Sequence, residues 1–154
     1  MKLTRMVVAG LVVVPALLVL TGCQSDKAKR SSPDANIQNA KTLIKSCRET
    51  FAAGDISMKT DPEARGSGVD TRLPMLLTIV ADKIPFNVNR KVTDQAKKAK
   101  ALAKLEEVKK LVDESLGPKY QTALDSRKPE DAKALVPLLD QLEKQLDEVS
   151  EILG

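Results

Sequence analysis

In the last part of this chain Leu135, Leu139, Leu142, Leu146, Val149 and Leu153 fall four, three, four, three and four residues apart. That rhythm puts every one of them on the same face of an α-helix and on no single face of a strand. Earlier in the chain Ile37, Ala40, Ile44, Cys47 and Phe51 repeat the pattern at spacings of three, four, three and four, with Leu43 widening the stripe. No stretch after the first 32 residues alternates apolar and polar side chains as a half-buried strand would. Aromatic residues make up only 2% of the chain, as two Phe, one Tyr and no Trp. A core must therefore be assembled from Leu, Ile, Val and Ala, which suits helix packing better than a sandwich. The fold expected is all-α, a small four-helix bundle with its stripes turned inward.

Punctuation divides the segment 33–154 into four helices. Ser32-Pro33-Asp34 is a helix start, with a capping hydroxyl, a proline at the first helical position and an acid in the first turn. The first helix should cover 33–53 and close at Gly54. Asp55 to Gly68 reads as a loop, marked by Asp61-Pro62, Gly66 and Gly68. Asp70 is the expected cap of a second helix over 71–83, which Pro85 should end. Its run of Leu73, Met75, Leu76, Leu77, Ile79 and Val80 is apolar almost all round and should be the most buried part; a buried strand over 75–80 is the competing reading. The third helix should span 89–116 and stop at Gly117-Pro118, with a short extra turn following over 118–124. Pro129 opens the last helix, and Pro137 should bend its first part.

The chain begins differently. Lys2 and Arg5 precede a run of 15 residues, Met6 to Leu20, that is apolar apart from Gly10 and Pro15. This run is short for a membrane-spanning helix, which needs about 20 residues, and right for the apolar region of an export signal. It ends in Leu20-Thr21-Gly22-Cys23. This tetrapeptide resembles the lipobox of bacterial lipoproteins, in which an aliphatic residue, a small residue and Gly or Ala precede an invariant Cys. The resemblance covers residues 1–23 and implies that 1–22 are removed and that the Cys23 thiol carries a diacylglyceryl group. A double-chain lipid gives stable anchoring where one chain would be marginal. In lipoproteins of diderm bacteria a residue other than Asp after the Cys, here Gln24, implies sorting to the outer membrane. Residues 24–32 (QSDKAKRSS) hold no apolar side chain larger than Ala and read as a flexible tether between lipid and domain. Residues 24–154 carry no recognised family resemblance.

The chemistry on offer is sparse. There is no His, which removes the commonest general base and the commonest metal ligand. No Ser sits in a GxSxG elbow, Gly66-Ser67-Gly68 lacks the rest of a phosphate-binding motif, and no CxxCH or His ligand supports a haem beside Met58 and Met75. Catalysis and bound cofactors are not expected. Cys23 belongs to the anchor. Cys47 lies in register with the first stripe and reads as a small buried hydrophobe, against the alternative of a redox thiol. With Lys2 and Arg5 removed, the formal charge of +4 drops to near +2, too little to suggest a nucleic-acid partner. The charge is unevenly placed. Residues 88–112 carry eight basic and three acidic side chains, and 113–154 carry ten acidic and five basic. The third and last helices should attract as antiparallel neighbours, although exposed ion pairs are worth only about 0–1 kcal/mol each. Arg90, Lys91, Lys97, Lys98, Lys100 and Lys104 form either a solvated face or a surface for anionic lipid headgroups. Asp140, Glu143, Asp147 and Glu151 are expected on the solvated side of the last helix. The functional expectation is a lipid-anchored, non-enzymatic structural or protein-interaction module of the cell envelope. Its alternative is a carrier that holds an apolar small molecule or lipid between its helices, lined by 73–80.

Overall fold

The computed structural model describes residues 32–56 and 71–154. Asp70, the expected cap of the second helix, and most of the expected loop lie outside them. Among the described residues there are four helical rods and no strand. Helix α1 is Pro33–Ala52. Helix α2 runs without a break through Arg72–Thr78, a π-helical turn Ile79–Lys83, and Ile84–Lys91. Helix α3 is built the same way from Gln95–Leu111, a π-helical turn Val112–Leu116, and Gly117–Ser126. Helix α4 consists of Pro129–Lys133 and Val136–Leu153. α4 packs between α1 and α3, and α2 packs against the same two helices. Neighbours run antiparallel throughout, as in an up-down-up-down bundle.

The start of α1 forms as its residues dictate. The Ser32 hydroxyl accepts the Ala35 N–H at 3.1 Å, and Pro33 needs no N–H partner there. At its other end Gly54 takes φ +76°, a left-handed value that closes the helix. A Cβ at Gly54 would come within 2.7 Å of Pro129 Cβ, so the turn after α1 sits directly on the start of α4.

Two prolines behave differently from the sequence expectation, for one shared reason. Pro85 does not end α2, and Gly117-Pro118 does not stop α3. In an α-helix a proline loses its hydrogen bond and its ring meets the carbonyl four residues back. Here a π-helical turn precedes each proline. The Ile84 N–H reaches back five residues to the Ile79 carbonyl, and the Gly117 N–H does the same to Val112. One extra residue in the turn gives the ring room, and the rod continues. Gly117 suits this turn, because a Cβ would lie 3.2 Å from the Val112 carbonyl oxygen. Residues 89–91 consequently belong to α2, not to the third helix, and a corner at 92–94 intervenes before Asp94 caps α3. Pro137 marks a break at 134–135 and stands in the first turn of Val136–Leu153.

The stripes meet in a single core. Ile37, Ala40, Ile44, Cys47 and Phe51 of α1 are fully buried, as are Leu135, Leu139, Leu142, Leu146 and Val149 of α4. α2 contributes Leu73, Leu76, Ile79, Val80, Ile84 and Val88, while α3 contributes Ala101, Leu105, Val108 and Leu116. Continuation past Pro118 matters here, since it brings Tyr120 against Phe51 with ring centroids 6.4 Å apart. The 73–80 segment is not buried all round as expected. Met75 is 53% exposed, because the π turn and the packing against α1 and α3 turn only one side of α2 inward.

Two turn residues test this account. Gly54→Ala should lose about 1–3 kcal/mol in urea denaturation, from the positive φ and the contact with Pro129. Arg127 also adopts a left-handed backbone, at φ 54°, between α3 and α4. Arg127→Gly should therefore gain roughly 0.5–1 kcal/mol by the same measurement.

Candidate functional surface

Leu20, Thr21, Gly22 and Cys23, the residues to which the sequence assigns processing and lipid attachment, lie outside the described residues. Ser32 lies nine residues after Cys23. Ser32 stands at one end of the bundle, where the start of α1, the corner between α2 and α3, and the end of α4 converge. They enclose an open cleft of about 430 Å³ lined by Ser32, Asp34, Lys91, Asp94, Lys97 and Leu153, among others. Lys97 Nζ donates to the Gly154 carbonyl at 3.2 Å, which ties the start of α3 to the end of α4.

The cleft is polar at its rim, and much of that polarity already has a structural task. Asp94 Oδ1 accepts the Ala96 N–H at 2.9 Å and the Lys97 N–H at 3.0 Å. These bonds, that from Lys97 first, hold the Asp94 carboxyl below the usual carboxylate range. Its charge also favours the positive end of the α3 dipole.

Along the body of the bundle the charges are matched between helices. Arg48 of α1 pairs with Glu143 and, at 2.7 Å, with Asp140 of α4. Lys41 pairs with Asp147. The hydrogen bond to Glu143 raises the Arg48 guanidinium above its ordinary pKa. Asp140, Glu143 and Asp147 therefore point toward α1 while staying in contact with solvent, Asp140 at 57% and Asp147 at 49% side-chain exposure, and Glu151 is exposed, so all four lie on the solvated side of the stripe. The signal was present in the sequence, because Lys41 and Arg48 are seven residues apart and so are Asp140 and Asp147. Equal spacing on two antiparallel helices brings both pairs into register. The expected attraction between the third and last helices holds at Lys104, which reaches Glu148 at 2.5 Å and Glu107 at 2.7 Å. Lys104 in turn holds Glu148 below its ordinary value. On the other side Arg72 of α2 donates to Ser46 Oγ at 2.5 Å and to Thr50 Oγ1 at 2.8 Å on α1.

The interior is aliphatic. Asn36 and Asn87 are the buried polar residues among those described, and Asn87 Nδ2 donates to the Lys83 carbonyl at 3.0 Å, within its own helix. Cys47 is fully buried, in agreement with its place in the stripe. Among the described residues no group of three His, Cys, Asp or Glu side chains is arranged to hold a metal, and no helix is long and apolar enough to cross a membrane. Two large apolar side chains break the pattern by facing out, Met75 at 53% and Phe86 at 61% exposure, both on α2. Sequence reasoning missed Phe86 as a surface residue because Pro85 was expected to end the helix before it.

Asp94 supplies a pH test. Its folded pKa is depressed, so its contribution is present above the unfolded value and is lost as pH falls below about 4. Asp94→Asn keeps a capping side chain but removes the charge. The variant's melting temperature should decline less steeply than the parent's between about pH 4 and pH 2.5, as followed by circular dichroism.

Comparison with known proteins places nothing beside this chain: no protein-family model, no curated protein and no solved structure matches it.

Proposed function

We propose that this chain is a lipid-anchored, non-enzymatic module of the cell envelope that binds a partner protein along the outer side of α2. The anchor is the diacylglyceryl group implied at Cys23, with the periplasmic face of the outer membrane as the address if the cell is diderm. The carrying observation is how α2 distributes its apolar side chains. Leu73, Leu76, Ile79 and Val80, which a carrier would use to line a cavity, are spent on packing against their neighbours. Met75 and Phe86 of the same helix project outward. The commitment of these side chains to the core favours the interaction module over the carrier, and large exposed apolar side chains are what a partner's groove would take.

The test is photocrosslinking in intact cells from a probe at position 86 of the full chain. A discrete protein adduct is expected, and it should vanish when Met75→Lys is added, while the purified variant melts within about 2 °C of the parent, as exposed substitutions usually do. If no protein adduct forms and native mass spectrometry finds a co-purifying apolar molecule, the carrier replaces this reading.

A further inference from the structure

The bundle has two chemically different ends. The end at Ser32 gathers residues 32–36, 88–100 and 150–154, which hold five basic side chains (Arg90, Lys91, Lys97, Lys98, Lys100) and three acidic ones. The opposite end gathers residues 49–56, 71–75 and 117–134, with five of each sign. The basic excess therefore sits where the chain leaves toward Cys23. The intervening residues 24–31 add Lys27, Lys29 and Arg30 against Asp26 alone. Arg90, Lys91 and Lys100 are exposed, and Lys97 and Lys98 are half-buried.

We infer that this basic end is a docking surface for anionic lipid headgroups, so that the anchored bundle stands on the bilayer with the Ser32 end down. The inference rests on the lipid anchor at Cys23 and goes beyond it, because an anchor alone sets no orientation. Three observations converge. The anchor side and the basic side are the same end of the molecule. The nine residues from Cys23 to Ser32 span at most about 30 Å, which keeps this end near the headgroups. Each Lys or Arg close to an anionic surface contributes about 1 kcal/mol, while the tether holds the local concentration high without any further contact.

The experiment uses the processed lipoprotein reconstituted in vesicles, after intact-mass measurement has confirmed the lipid at Cys23. A fluorophore is attached at Asn89→Cys, on the basic end, or at Lys128→Cys, on the far end; buried Cys47 and lipidated Cys23 leave the introduced thiol as the reactive one. Energy transfer to a headgroup-labelled lipid is compared in phosphatidylcholine alone and with about 30% phosphatidylglycerol. With the anionic lipid, transfer from position 89 should rise at least about twofold. It should return to the phosphatidylcholine level in roughly 0.5 M salt, where screening acts within about 4 Å. It should also return to that level in the triple variant Arg90→Gln, Lys91→Gln, Lys100→Gln. Transfer from position 128 should not rise. Equal transfer from position 89 in both vesicles, or a rise that survives the triple variant, overturns the docking surface while leaving the anchor intact. A chain without lipid at Cys23 removes both, and the mass measurement identifies that case separately.

Discussion

Burial of aliphatic side chains along four helical faces is the interaction on which the rest of this structure depends. Each Leu, Ile or Val removed from water contributes about 1.5–3 kcal/mol. A surface ion pair contributes about 0–1 kcal/mol. The stripes therefore decide that the helices pack, with Asn36 and Asn87 the buried polar residues among those described. The dependence has a geometric condition. A core poor in aromatic bulk is filled by length of contact, so α2 and α3 must stay helical through Pro85 and Pro118. The π-helical turns at Ile79–Lys83 and Val112–Leu116 meet that condition. Without the second of them, Tyr120 would lose its place beside Phe51.

Charge then selects among arrangements that packing alone would leave close in energy. α4 carries carboxylates on two flanks, with Asp140, Glu143 and Asp147 toward α1 and Glu148 toward α3. Lys41 and Arg48 answer the first flank, and Lys104 the second. Reversing α4 with its stripe still inward is a half-turn about the inward axis, which would carry Asp140, Glu143 and Asp147 away from Lys41 and Arg48 to the α3 side. The same half-turn would carry Glu148 away from Lys104 to the α1 side. The Lys97 bond to the Gly154 carbonyl would also be lost. Direction is thus encoded by the asymmetry between the flanks, not by the number of pairs.

The fold class was legible because helical periodicity is a property of single segments. Ile37 to Phe51 and Leu135 to Leu153 announce their faces without knowledge of any neighbour. Helix ends were legible where a local cap decides them, as at Ser32 and Gly54. They were not legible at Pro85 and Pro118. Whether a proline ends a helix or is absorbed by a π turn depends on whether the residues beyond it can be buried, and Ile84, Val88 and Tyr120 are buried by other helices. The exposed pair Met75 and Phe86 was hidden for the same reason, since a segment that is apolar all round does not say which side its neighbours will take. The Lys41–Asp147 and Arg48–Asp140 register was legible in principle from spacing, once α1 and α4 are known to be adjacent.

The proposed docking of the basic end on the bilayer would also give a meaning to the position of Met75 and Phe86. α2 comprises 20 residues, so it rises roughly 30 Å along the bundle. Its last residues, Arg90 and Lys91, lie at the Ser32 end; Phe86 lies about one turn above them and Met75 close to the far end. With the basic end on the headgroups, the outer side of α2 stands upright, and its two exposed apolar side chains are presented at different heights above the membrane. A bundle tumbling at the end of its lipid would present that face to the bilayer part of the time. There Met75 and Phe86 would enter the interfacial region and be withdrawn from a protein partner. The proposed docking of the basic end would prevent this competition, because it would fix which surface meets lipid and leave Met75 and Phe86 to a protein partner.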